Sequence, residues 1–167
     1  MHQAFQKKIE LDVLSVASEF FPLVKTGGLG DVTGALPGAL APQGVRVRTV
    51  LPGYPSVMSA LKWSRREGDL VEITEFGHAV RIHQVSIYHN YFFILDCPEL
   101  YLRSGSPYTA GNGKSWDDNG LRFALLSRVA ARLACGLLPD YRRGNLTEGL
   151  YIGLDYAKVC FAQKKFS

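Results

Sequence analysis

The sequence predicts an α/β fold in which helices cover a parallel sheet. Three consecutive segments carry this prediction. Residues 11–17 are a short Val/Leu-rich run typical of a buried strand, residues 29–42 have helical periodicity, and residues 45–51 alternate like a second strand. A strand, a glycine-rich turn, a helix and a strand form a βαβ unit, so we expect the two strands to lie parallel with a right-handed crossover.

The first helix is predicted to run from Leu29 to about Pro42. Its large apolar residues share one face: Leu29, Val32, Leu36 and Leu40. Glycines recur on a second stripe: Gly30, Gly34 and Gly38. Each glycine costs a helix about 1 kcal/mol relative to alanine, so we expect this stripe to approach the sheet closely. Pro37 lacks an N–H group and predicts a kink or a break.

The middle of the chain predicts three further strands, at residues 70–76, 79–88 and 91–96, with a turn at Asn90. Residues 97–116, rich in Gly and Pro, are predicted to be a loop. A second helix follows, capped by Asp117 or Asp118 and reaching about Cys135. Its predicted apolar face consists of Leu121, Leu125, Val129 and Leu133.

Composition excludes several classes of protein. The 167 residues are 47% hydrophobic and 20% charged, which fits one globular domain and disfavours disorder. No apolar run reaches the roughly 18 residues that span a bilayer. Residues 1–10 are a polar leader without a secretory apolar core. Three cysteines without a CxxC pair favour a reducing compartment over a disulfide framework.

The net charge of +4 is concentrated near the carboxyl terminus. The basic residues there are Arg142, Arg143, Lys158, Lys164 and Lys165, against the acidic Glu148 and Asp155. A near-neutral body with a basic tail is weak evidence for nucleic-acid binding, and we predict no nucleic-acid or membrane partner. Three histidines alternate faces of the predicted strands too irregularly to form a metal site, and we predict none: His78, His83 and His89.

One segment, residues 18–32 (SEFFPLVKTGGLGDV), combines features of a phosphate site. It joins the carboxyl end of the first strand to the amino end of the first helix, where α/β sheets bind ligands. Gly27 and Gly28 allow close backbone approach to a phosphate, next to helix N–H groups and the cation of Lys25. Glu19 and Asp31 are candidate acceptors for sugar hydroxyls.

The spacing does not match the two common phosphate motifs. Neither GxGxxG nor GxxxxGK[ST] occurs, which argues against a dinucleotide-dependent oxidoreductase. A Gly-Gly turn after a strand is also a plain connection in many proteins, and a lone lysine is commonly a solvated surface residue. The residues by themselves therefore indicate a phosphate or nucleotide site, without its substrate.

Several motifs in order resemble the bacterial glycogen synthases and plant starch synthases. They are SEFFP followed by KTGGLGDV, GALPGAL at 34–40, VRTVLPGYPSV at 47–57, LDCPELYLRSGSPY at 95–108 and DDNGLRFALLSRVAA at 117–131. The resemblance covers about residues 11–140. It implies a Rossmann-like amino-terminal domain of a two-domain glycosyltransferase of the GT-B type.

By this resemblance the enzyme transfers glucose from ADP-glucose to the non-reducing end of an α-1,4-glucan, without a metal or other cofactor. The resemblance implies that Lys25 contacts the donor diphosphate beside the loop of Gly27 and Gly28. It places four further residues in the cleft that binds sugar and nucleotide: Glu19, Asp31, Tyr108 and Asn119. Without it, Tyr108 would be read as a packed loop aromatic and Asn119 as a residue bridging a helix start. Asp31 would then serve only the helix dipole.

The resemblance stops near Arg142. We expect residues 11–142 to form an incomplete amino-terminal catalytic domain, and residues 143–167 to be an unmatched basic tail. The family's His-x-His-Asp-Trp motif does not occur, and we expect its carboxyl-terminal domain to be missing. A frameshift, a gene-model error or a truncating rearrangement would explain the switch, with a native ending as the alternative. Reading the coding DNA in the other two frames distinguishes them.

The predicted function is therefore an ADP-glucose-dependent glucan synthase, here as an inactive amino-terminal fragment. The alternative is a non-catalytic module that binds glucan or regulates a full-length synthase by association. The sequence leaves open ADP-glucose against UDP-glucose and glycogen against starch. We expect a bacterial cytoplasm, or a plastid for a plant source.

Overall fold

The computed structural model describes residues 11–138 and, as backbone, residues 149–153. The predictions for residues 1–10 and for most of 143–167 lie outside the described residues. In chain order the elements are β1 (Leu11–Val16), α1 (Gly28–Leu40), β2 (Val45–Pro52), α2 (Pro55–Ala60), β3 (Arg65–Arg66), β4 (Val71–Glu75), β5 (His78–Ile87), β6 (Asn90–Asp96), α3 (Pro98–Tyr101), α4 (Asn119–Ala134) and β7 (Gly149–Gly153). Short 3₁₀ turns at Ala41–Gln43 and Leu61–Trp63 follow α1 and α2.

The sheet has seven strands in the order β3-β5-β6-β2-β1-β7, with β4 also pairing with β5. The predicted βαβ unit is confirmed, because β1 and β2 pair in parallel from Leu11 opposite Val45 to Val16 opposite Val50. Strands β6 and β7 extend the parallel part on either side. Strand β5 runs antiparallel to β3, β4 and β6, so the sheet is mixed.

Helix α4 packs on the sheet through the face that the sequence predicts. Leu125, Val129 and Leu133 are fully buried, and Leu121 is partly buried at the edge of the same cluster. The helix begins at Asn119, after Asp118, but the Asp118 side chain does not cap it. That carboxylate instead pairs with Arg103.

Helix α1 buries a different face from the predicted one. Its buried residues are Gly30 and Thr33, whereas Val32 on the predicted apolar face is 55% exposed. The glycine stripe does lie in close contact, but with the segment that follows β1 rather than with the sheet. A Cβ atom built on Gly34 would lie 2.6 Å from the carbonyl oxygen of Phe21, while one on Gly38 would meet no atom within 4 Å.

Three further local predictions differ from the structure. Pro37 lies inside α1 without dividing it, and the helix ends at Leu40. The β5–β6 turn uses Tyr88 and His89 at positive φ (50° and 65°), while Asn90 begins β6. The segment predicted as a continuous loop contains α3.

Arg46 and Arg48 lie on β2 and share one ion-pair partner. Both guanidinium groups pair with the carboxylate of Asp12, which is 3% exposed on the neighbouring strand β1. This cross-strand cluster fixes the start of β1 against β2. Within the described residues, no helix is long and apolar enough to cross a membrane. The same residues contain no group of three or more His, Cys, Asp or Glu side chains arranged to hold a metal ion.

Candidate functional site

The candidate site lies where β1, β2 and β6 end together. Parallel strands present their carboxyl ends at one edge of a sheet, which is the usual ligand-binding edge of α/β proteins. The chain leaves β1 at Val16, forms a tight turn in which Phe20 and Val24 exchange two backbone hydrogen bonds of 2.9 Å, and enters α1 at Gly28. We refer to residues 25–28, Lys-Thr-Gly-Gly, as the KTGG loop.

The buried carboxylate of Glu19 organises the KTGG loop. Thr26 donates to it twice, from its N–H to Oε2 (2.7 Å) and from its hydroxyl to Oε1 (2.5 Å), and the Gly27 N–H donates to Oε2 (3.3 Å). The Tyr108 hydroxyl donates to Oε1 at 2.7 Å. Glu19 as a whole is only 2% exposed, and four donors converge on its carboxylate. Glu19 therefore holds the loop in place.

These contacts also set the charge of Glu19. Burial acts to raise its pKa and is the largest single influence. The hydrogen bonds from the Thr26 side chain, the Thr26 N–H, the Tyr108 hydroxyl and the Gly27 N–H together outweigh burial, so the pKa of Glu19 lies below its ordinary value. Glu19 is therefore an anion at neutral pH, with donors on both of its oxygens.

Tyr108 and Asn119 join this cluster through the loop before α4. Tyr108 gives its single hydroxyl proton to Glu19, so the Ser18 hydroxyl, 2.7 Å away, donates to the Tyr108 oxygen. The Asn119 side chain donates to the backbone oxygen of Tyr108 (2.9 Å) and accepts from Arg122 (2.7 Å). Both ends of the Asn119 amide are thus engaged within the protein.

Lys25 and Asp31 form an exposed ion pair at the open side of the KTGG loop. Lys25 Nζ lies 2.7 Å and 2.8 Å from the two carboxylate oxygens of Asp31, and 5.7 Å from the ring centroid of Phe21. The side chains of Lys25 and Asp31 are 42% and 55% exposed, so solvent and ligands reach both. A bound phosphate would compete with Asp31 for the Lys25 ammonium group.

The first turn of α1 faces the same opening. Its N-cap residue is Gly27, and no side chain among the described residues caps the helix. A Cβ atom on Gly27 or Gly28 would meet no protein atom within 4 Å. The packing of the described chain therefore does not require glycine at these two positions, whereas close approach of a ligand to the backbone would.

A groove of about 640 Å³ adjoins the loop. It is lined by Phe21–Thr26, Ser56 and Gly105–Pro107. The seven residues that the sequence predicts for the site are linked through the KTGG loop, its ion pair and the hydrogen bonds of Tyr108. Their predicted contacts with donor and sugar remain predictions.

Sequence reasoning missed the residues that support the site from behind. Thr33 donates from its hydroxyl to the Glu19 carbonyl oxygen (2.7 Å) and so ties α1 to the end of β1. Arg122, 1% exposed, donates to the carbonyl oxygens of Leu100 and Pro107 (both 2.8 Å). The sequence does carry a signal for Arg122, because it falls at helical spacing with the buried residues Leu125 and Leu126 of α4.

The fold and site define the class of protein. The structure resembles a solved structure described as the catalytic domain of Starch Synthase IV from Arabidopsis thaliana bound to ADP and acarbose, with a TM-score of 0.56 and 25% sequence identity. The match covers 75% of this chain and 26% of that chain. The architecture is thus that of part of a GT-B glycosyltransferase catalytic domain.

The particular family follows from the sequence match. The family model described as the starch synthase catalytic domain matches residues 12–145, and the chain belongs to this family. This match confirms the resemblance that KTGGLGDV and the other motifs indicate.

Curated relatives carry the name glycogen synthase. The chain is 49% identical over 132 residues to the glycogen synthase of Rhodopseudomonas palustris (strain TIE-1), covering 79% of this chain and 27% of that protein. It is 52% identical over 129 residues to the glycogen synthase of Acidiphilium cryptum (strain JF-5), covering 77% and 26%. The chain therefore spans about a quarter of the length of these relatives.

Proposed function

We propose that this chain supplies the KTGG-loop part of a glycogen (starch) synthase, which transfers glucose from ADP-glucose to the non-reducing end of an α-1,4-glucan. Lys25 and the uncapped first turn of α1 would receive the donor diphosphate. The observation that carries the proposal is the Glu19-anchored loop, which presents a cation and free helix N–H groups at the carboxyl edge of the sheet. Family membership and a structural relative that holds ADP support it.

The chemistry assigned to these groups is electrostatic. When the glucosyl bond of a nucleoside diphosphate sugar breaks, the departing diphosphate gains negative charge. Lys25 and the positive end of the α1 dipole stabilise that charge without transferring a proton. Glu19 is a positioning residue that holds the loop, since its oxygens accept hydrogen bonds from the loop and from Tyr108.

Titration of ADP into the 167-residue chain, followed by calorimetry, tests this proposal. The comparison uses Lys25→Ala, Lys25→Arg and, as a matched control, Lys62→Ala, which removes an exposed lysine beside Trp63. We expect Lys25→Ala to weaken ADP binding by about tenfold or more and Lys25→Arg to retain part of it, because a charged hydrogen bond is lost or kept. The proposal fails if Lys25→Ala binds ADP like the Lys62→Ala control, or if the unmodified chain binds no ADP.

Turnover is proposed to need more of the enzyme than these residues. A polypeptide limited to the 167 residues should bind donor weakly and incorporate no measurable glucose from ADP-glucose into glycogen. The alternative role, a glucan-binding or regulatory module that associates with a full-length synthase, predicts specific co-sedimentation with amylopectin or glycogen. A chain that neither binds ADP nor pellets with glucan would contradict both roles.

A further inference from the structure

A second, smaller cavity of about 260 Å³ adjoins the KTGG-loop groove, and the two share Val24, Ser56 and Gly105–Pro107 in their linings. Aromatic rings form much of its wall, and serine hydroxyls line its rim. Its lining includes Tyr54, Tyr101, Trp116, Ser56, Ser104 and Ser106. Two guanidinium groups, of Arg103 and Arg122, also line it, and no acidic side chain does so within the described part of the chain.

Arg122 brings a buried cation to this cavity. Its Nε donates to the carbonyl oxygen of Leu100, and its Nη1 donates to the carbonyl oxygen of Pro107 and to the side chain of Asn119. Those contacts leave Nη2 with two N–H groups for which residues 11–138 offer no acceptor. A residue that is 1% exposed thus keeps donor capacity toward a cavity.

The local charge balance favours an anion. Arg103 is paired with Asp118 at 2.7 Å, whereas Arg122 has no ion-pair partner within the described residues. Trp116 is close to both cations, with Arg103 Cζ 5.4 Å and Arg122 Cζ 5.6 Å from its ring. Burial is the largest influence on the Arg122 guanidinium and lowers its pKa, against the opposing effects of Tyr54 and Asp118.

We infer that this cavity is a binding site for a phosphate oxyanion, free or as a small phosphate monoester. The anion accepts hydrogen bonds from Arg122 Nη2 and from the Ser104 hydroxyl at the rim, near the cation of Arg103. The volume suits a small molecule and not a polymer chain. Arg103, Ser104 and Arg122 line this cavity and not the KTGG-loop groove, whereas Lys25 lines only the groove.

The indole N–H of Trp116 reports on the cavity directly, because it donates to the backbone oxygen of Ser106 at 3.1 Å inside the lining. The chain has two tryptophans, so the substitution Trp63→Phe leaves Trp116 as the single indole signal in ¹H–¹⁵N spectra. Inorganic phosphate is titrated against this protein at constant ionic strength, with chloride and maltotriose as comparison solutes. We expect a saturable shift with phosphate alone.

Ser104 provides the matched pair of variants, since it is exposed and lines this cavity but not the KTGG-loop groove. Ser104→Glu adds a carboxylate to the lining of the cavity and is expected to weaken phosphate binding by about tenfold or more. Ser104→Gln, of equal size without charge, should change it by less than about threefold. Both substitutions leave the buried contacts of Arg122 in place, so each variant is expected to fold.

The outcomes separate this inference from the proposed function. In Lys25→Ala the Trp116 shift with phosphate should persist, even though ADP binding is weakened. No saturable shift with phosphate, an equal shift with chloride, or a response to maltotriose instead would overturn the inference. So would unchanged phosphate binding in Ser104→Glu.

Discussion

Tyr108 donates a 2.7 Å hydrogen bond to Glu19, a residue 89 positions earlier in the chain. The bond joins the loop before α4 to the turn after β1, and Glu19 in turn holds Thr26 and Gly27. The geometry of the KTGG loop therefore depends on a segment that the sequence places far away. Each of the following predictions tests one contact of this arrangement or the packing behind it.

Tyr108→Phe is expected to change how stability depends on pH. The pKa of Glu19 is lowered in the folded chain, so Glu19 contributes stability above its unfolded pKa, and that contribution is lost as pH falls through the folded pKa. Removing the hydroxyl removes one of the bonds that lower this pKa. The variant should lose about 1 kcal/mol at neutral pH, and the difference should shrink in acid.

Urea unfolding from neutral pH down to about pH 3 measures this difference. Tyr91→Phe, on the exposed side of β6, is the control and should follow the unmodified chain throughout. A Tyr108→Phe difference that stayed constant with pH would show that the hydroxyl does not act on Glu19.

Glu19→Gln should destabilise the fold by about 1–3 kcal/mol, because an amide offers one acceptor oxygen where four donors converge. ADP binding should weaken together with stability, since the KTGG loop loses its anchor. Glu72→Gln, an exposed change on β4, should alter unfolding by less than about 0.5 kcal/mol. Equal unfolding free energies for the two variants would falsify the anchoring role.

Gly34 and Gly38 of α1 should respond to alanine in opposite directions. Gly38→Ala adds a methyl group in open space and should stabilise the helix by about 0.5–1 kcal/mol. Gly34→Ala brings Cβ to 2.6 Å from the Phe21 carbonyl oxygen, so the backbone must shift and stability should fall. Thermal unfolding of the two variants side by side decides the matter, and a stabilised Gly34→Ala would contradict the packing.

Arg122→Met is expected to cost about 3 kcal/mol or more. It keeps much of the side-chain volume but leaves the carbonyl oxygens of Leu100 and Pro107 buried without their donor. Arg128→Met, on the same helix, removes only an exposed pair with Glu75 and should cost about 0–1 kcal/mol. Denaturant midpoints compare the two, and similar losses would rule out a special structural role for Arg122.

Local signals in the sequence are sufficient to predict the β1-α1-β2 unit but not which face of α1 is buried. Periodicity selects the face with the largest apolar residues, which includes Val32. The structure buries Gly30 and Thr33 because the turn at Phe21 packs directly on the helix backbone. That contact comes from tertiary structure, and no local pattern encodes it.

In the candidate site, too, local sequence signals predict some features, and tertiary contacts decide the others. The Gly-Gly turn with Lys25 is recognisable because one short segment carries it. The anchoring role of Glu19 is not recognisable from the sequence, because one of its donors, Tyr108, comes from a distant loop. From the sequence, Glu19 is only a candidate acceptor for sugar hydroxyls. Its contact with sugar stays a prediction, although the structure already engages both of its oxygens within the chain.

Strand β7 brings Gly149 next to Asp12, so β1 pairs with a segment that lies far along the chain from it. While the chain leaves the ribosome, β2 and β6 can join β1 on one side as soon as they emerge. Among the described strands, β7 is the partner on the other side of β1, and it becomes available only when residues 149–153 leave the exit tunnel. An unpaired strand edge invites pairing with other chains, and such a distant pairing closes slowly. Translation speed between β6 and β7 should therefore influence the yield of correctly folded protein.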